Sequence, residues 1–143
     1  MTLLLVHAAA TLFMTGVIWF VQLVHYPLFG AVGEGEAAAY HRAHGRRTSW
    51  VVGPPMLVEL VTAVGLAWMP PADLGRAWPW TGLALLGMVW LSTATLQVPA
   101  HTRLDAGRDP ATERRLVAGN WIRTVAWSAR AVLALAMVAR AAA

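Results

Sequence analysis

The sequence predicts an all-α integral membrane protein, a bundle of four spanning helices with both termini on the outer side. Three observations carry this. Apolar residues make up 58% of the 143-residue chain and charged residues only 13%, about half the charged share of an ordinary globular domain. Four weakly charged segments, at about 3–29, 50–69, 78–98 and 116–139, each reach the ~20 residues needed to cross ~30 Å of hydrocarbon. What is left over is too short for a separate soluble core, so residues 1–143 read as one transmembrane domain.

The first segment has no Asp, Glu, Lys or Arg before Glu34. It lacks a basic leader region and outruns the apolar length of a signal peptide, so it reads as a span. Within it Trp19, Gln22 and His25 recur at three-residue spacing and share one helix face, which ends at Pro27. The second segment carries Glu59, ~14 Å past Trp50 at ~1.5 Å per residue. The third closes on Gln97, Pro99 and His101, a faint echo of Gln22, His25 and Pro27 that suggests two related hairpins. The fourth bears Asn120, Arg123, Trp127 and Arg130 at i, i+3, i+7 and i+10, one continuous face.

The connections fix the expected orientation. Loop 30–49 holds Arg42, Arg46 and Arg47, and loop 99–115 holds Arg103, Arg108, Arg114 and Arg115. The 70–77 link has only Arg76 and the C-terminal tail only Arg140. The positive-inside rule then places both arginine-rich loops in the cytoplasm, as for a multi-pass protein of the cell (inner or plasma) membrane. Trp68, Trp78 and Trp80 flank the short link as an outer aromatic belt would. All 11 basic residues are arginines, and those outside the spans sit in loops beside them, which is a topology signal and not a nucleic-acid patch, so no nucleic-acid partner is expected. Cysteine is absent, which excludes disulfides and thiolate chemistry.

Ionisable groups at membrane depth cost at least ~2.5 kcal/mol and turn inward to partners. Glu59, Arg123 and Arg130 are therefore expected to converge as catalytic groups on one pocket displaced toward the cytoplasm. Gln22, Gln97, Asn120, Trp19 and Trp127 form its substrate-binding walls. One Glu against two Arg leaves that pocket net positive, which suits an anionic or electron-rich guest such as a phenolate, an enolate, a quinone carbonyl or a carboxylate. The same residues have plainer readings: Arg123 snorkelling to the headgroups, and a Glu–Arg pair that only binds helices together.

His41 and His44 project from one side if residues 34–47 are helical, with Glu34 and Glu36 at its start and arginines at its end suiting the helix dipole. With His25 and His101 they make a candidate metal set, suited to Fe, Cu, Zn or Mn, or to axial ligation of a haem. A protonatable helix lying on anionic lipid is the alternative.

The run Thr95-Leu-Gln97-Val98-Pro99-Ala-His101-Thr-Arg-Leu104, followed by Asn120-Trp121-Ile-Arg123-Thr124 with Trp127 and Arg130, resembles the anthrone-oxygenase-like family of small four-helix membrane proteins. Val24-His25-Tyr26-Pro27 at the end of the first helix is similar too. Where the family usually has Asn two residues after the later Pro, this chain has His101. The resemblance implies a four-helix fold and oxidation of a lipophilic anthrone-type compound by oxygen. Arg123 or Arg130 would then stabilise an enolate, with a His or Glu59 as base.

Three function classes remain open: an oxidoreductase acting on a lipophilic aromatic or quinone-like molecule, metal- or haem-assisted or not; a non-catalytic subunit of a larger membrane complex; and a carrier of a small anion or proton. The expected partners are the bilayer, a lipophilic small molecule, and further copies or other membrane chains.

Overall fold

The computed structural model describes the backbone of all 143 residues and every side chain except that of Asp73. Four helices are long and apolar enough to cross a membrane: Thr2–Ala31, Glu34–Trp68, Ala77–Leu104 and Pro110–Ala141. In chain order, α1 is Thr2–Phe20, continued by a π turn over Val21–His25 and a 3-10 turn over Pro27–Ala31. Next come α2, Glu34–Trp68, and a short 3-10 turn, Ala72–Leu74. The third span is α3, Ala77–Ser92, a π turn over Thr93–Gln97, and α4, Val98–Leu104. Helix α5, Pro110–Ala141, completes the chain.

The helices pack in a ring, α1 between α2 and α5 and α3 between the same two, so that α2 and α5 face each other across a diagonal. Large apolar side chains such as Phe20, Leu23, Trp50, Val61, Val125 and Val132 cover the outside. A surface of that kind needs lipid around it. Both termini lie at the end of the bundle that holds the Ala72–Leu74 link. The seven arginines of residues 42–47 and 103–115 lie at the other end. There Arg42 donates to the Asp105 carbonyl at 2.7 Å and Arg108 to the Gly30 carbonyl at 3.0 Å, tying the two hairpins together.

Helix boundaries depart from the apolar segments. Helix α2 starts at Glu34, so most of the expected loop 30–49 is its first four turns. Hydropathy marks where a helix turns apolar, not where it begins: Glu34 and Glu36 favour an N-terminus and Ala37–Ala39 propagate it. At 35 residues α2 is ~52 Å long, well beyond the ~30 Å of hydrocarbon. Likewise the third span runs on to Leu104, and α5 starts at Pro110 behind an Asp109 N-cap. The Asp109 carboxylate accepts from the backbone N–H of Ala111 at 3.0 Å and of Thr112 at 3.2 Å.

The faint repeat has a structural counterpart. Both π turns span five residues, and in each hairpin a proline stands two residues past the turn, Pro27 and Pro99. A helical proline lacks an N–H and its ring crowds the carbonyl four residues back. In both hairpins that carbonyl, of Leu23 or Thr95, lies inside the widened turn. The Tyr26 N–H reaches back five residues to the Val21 carbonyl at 3.0 Å, which adds one residue to the turn.

Candidate functional site

Two polar layers cross the interior. In the deeper one, Glu59 is fully buried and its carboxylate is saturated. Oε1 accepts from Arg130 Nη2 at 2.9 Å and Nε at 3.1 Å and from the Thr11 hydroxyl at 2.8 Å; Oε2 accepts from Trp127 Nε1 at 2.9 Å. The remaining arm of Arg130 donates to the Gly82 carbonyl on α3. The Glu59–Arg130 pair thus ties all four spans together. His7 closes the layer, its Nδ1 2.8 Å from the Thr62 hydroxyl.

The second layer lies toward the arginine-rich end. Gln22 Oε1 accepts from Asn120 Nδ2 at 2.9 Å, and Gln22 Nε2 donates to the Val117 carbonyl at 3.2 Å. Asn120 Oδ1 in turn accepts from Arg123 Nε at 3.0 Å. Arg123 is 8% exposed, so it turns inward and does not snorkel. Its other partners are the hydroxyls of Thr93 at 3.4 Å and Tyr26 at 3.3 Å. Every one of these partners is neutral.

Tyr26 leads to the histidines. Its oxygen lies 3.0 Å from His101 Nε2. The same oxygen accepts from Arg123 Nη2 at 3.3 Å. His101 Nδ1 is buried with no partner. Around Phe29 stand His41 at 4.6 Å, His44 at 5.1 Å, His25 at 5.2 Å and His101 at 6.4 Å between ring centroids. His25 Nε2 meets His44 Nδ1 at 2.7 Å, a contact that needs one shared proton. The chain from His25 to Arg123 has one break, between His44 and His101, whose ring centroids are 5.4 Å apart.

The sequence-predicted residues divide accordingly. Glu59, Trp127 and Arg130 meet in the deep layer, and Gln22, Asn120 and Arg123 in the second. His25, His41, His44 and His101 gather at the arginine-rich end. Gln97 is buried with neither amide atom partnered, beside Gly119. Trp19 does not join them: it is exposed, donates to the Ser128 hydroxyl at 3.0 Å and packs edge-on against Trp121. Trp19 lies in the regular helix upstream of the π turn; past it Tyr26, four residues beyond Gln22, faces inward while His25 sits at the flank.

Spacing alone does not single out Tyr26, His7, Thr11 or Glu113. Glu113 is buried at the start of α5 with Oε1 unpartnered, and His41 has neither ring nitrogen partnered. Among the described residues no three His, Asp or Glu side chains are grouped so as to hold a metal ion. His25 Nε2 and His44 Nδ1 face each other, not a common centre.

The side chains of the polar layers bond chiefly to one another, and two cavities that reach the histidines lie on the flank of α1 and α2. One of about 430 Å³ runs between α1 and α2 along Gly16, Phe20, His25, Thr48 and Val51. A second, of about 280 Å³, is lined by His25, Tyr40, His44, Arg47 and Thr48.

Fold and site together define a small polytopic membrane protein of four spans with a hydrogen-bonded polar interior and an imidazole cluster at one end. Compared with known families, curated proteins and solved structures, the chain matches none. Its four long apolar helices are consistent with a small four-helix membrane protein.

Proposed function

We propose that the protein is a membrane-embedded oxidoreductase that takes protons and electrons from a lipophilic hydroxyaromatic or quinol-type molecule at its arginine-rich, cytoplasmic end. One observation carries this reading: Arg123 is a buried cation whose partners are all neutral, and it is joined through Tyr26 to an imidazole cluster. An uncompensated charge in a low-dielectric interior projects a positive potential over its surroundings. That potential favours the anionic form of a guest at the cluster, and so its deprotonation.

In this scheme the His25–His44 pair accepts the proton and Arg123 supplies the field. Glu59 and Arg130, saturated by each other and their neighbours, serve as frame. Molecular oxygen is the oxidant. A hydroquinone loses two protons and two electrons to O₂ and yields quinone and hydrogen peroxide. An anthrone loses a methylene proton, its carbanion adds O₂, and loss of water leaves the second carbonyl. A metal- or haem-assisted version would draw on His25, His41, His44 and His101, and elemental analysis with an absorption spectrum of the purified protein separates the two versions.

The test is oxygen uptake by the detergent-purified protein with anthrone and with decylubiquinol. Uptake is expected with the wild type and should fall at least tenfold in Arg123→Gln. No uptake with either compound, together with stable co-purification of other membrane chains, would replace this reading with that of an accessory subunit.

A further inference from the structure

The flank cavities indicate where a guest sits. The 430 Å³ and 280 Å³ cavities share His25, Arg47 and Thr48, so they form one cleft with two ends. The larger end is almost wholly apolar, walled by Gly16, Val17, Phe20 and Val51, and lies on the lipid-facing flank of α1 and α2. The smaller end carries His44, Tyr40 and the cationic Arg47, which makes no ion pair among the described residues. Its combined size suits a small molecule. His25 stands at the junction and connects the cleft to the buried chain through its 2.7 Å contact with His44.

We propose that this α1–α2 cleft binds a tailed, quinone-type molecule taken directly from the bilayer. Its apolar tail lies along Gly16 and Val51, and its oxygen-bearing ring meets His25, Thr48 and Arg47. The inference rests on the oxidoreductase reading and moves the substrate's seat from the four-helix interior to a flank.

The second hairpin supplies the contrast that selects this occupant. Its corresponding cleft, about 210 Å³ between α4 and α5, has two cations, Arg103 and Arg115, with Thr95 and Thr112, but no imidazole. A phospholipid headgroup, which needs cations, would be served at least as well there. What sets the α1–α2 cleft apart is a pair of imidazoles sharing one proton, which matches a headgroup that gains and loses protons. Tyr40 and Phe20 add flat faces for a ring.

The test measures decylubiquinone binding to the protein in nanodiscs by calorimetry. Gly16→Leu fills the apolar end, and a Cβ there meets nothing within 4 Å, so the helix tolerates it. Gly87→Leu makes the same change at an equally open site outside the cleft. Binding is expected to weaken at least tenfold in Gly16→Leu and severalfold in Thr48→Val, and to be unchanged in Gly87→Leu. Equal affinity in Gly16→Leu and wild type, or no binding to the wild type, overturns the proposal. So does a stoichiometric phospholipid that co-purifies with wild type and is lost from Gly16→Leu. Arg123→Gln should bind decylubiquinone normally. If binding follows this pattern but no oxygen is consumed, the oxidoreductase reading fails and the cleft stands. If anthrone is oxidised but the cleft variants bind decylubiquinone like wild type, the cleft fails alone.

Discussion

Arg123 and Arg130 sit seven residues apart on one helix face, both buried, yet their surroundings differ in kind. Arg130 has a carboxylate and a helix carbonyl, while Arg123 has an amide and two hydroxyls. The first arrangement is the one expected of a structural tie. Removing one member of a buried pair strands the other, at a cost of ~3–5 kcal/mol, whereas replacing both by apolar residues of similar volume is far milder. Glu59→Ala should therefore lower the thermal midpoint of the solubilised protein sharply, and Glu59→Leu/Arg130→Met should recover much of it. Equal instability of the single and double variants would show that charge pairing is not what matters at this position.

At the scale of elements, the four spans are legible because a bilayer imposes a length and a composition that any sequence must display. Which polar residues face one another is only partly legible. Gln22, Asn120, Arg123, Trp127 and Arg130 follow regular helical spacing, and the structure brings them inward. Trp19 and His25, three residues either side of Gln22, fall at the edge of the inward face, Trp19 exposed and His25 at the flank, and three-residue spacing does not tell the edge of a face from its centre. The start of α2 is hidden for another reason: its first four turns are amphipathic and lie beyond the apolar segment.

The start of α5 depends on an equally local device. Hydrogen bonds from the Thr112 hydroxyl and backbone N–H hold the Asp109 carboxyl below its ordinary range. A carboxyl whose folded pKa is lowered contributes stability above its unfolded value, near ~3.9. That contribution is lost as pH falls through the folded value. Asp109→Ala should thus speed amide exchange at Ala111 and Thr112 at neutral pH, and the difference from wild type should shrink below about pH 4. A difference independent of pH would remove the carboxylate from the account.

For the whole molecule, the two hairpins place their π turns, prolines and arginines at one end, so the polar chemistry is concentrated there and the opposite end is left to link and termini. The clasp of Glu59, Arg130, Trp127 and Thr11 lies between the two ends and leaves no unpaired oxygen on its carboxylate. In the proposed scheme it is a septum: among the described residues no hydrogen-bonded route leads from the imidazoles past it, so a proton they accept would return to the compartment it came from. Turnover in sealed proteoliposomes should accordingly be electroneutral, with no change in the fluorescence of a lumenal pH dye. Acidification of the lumen during turnover would mean that the septum leaks.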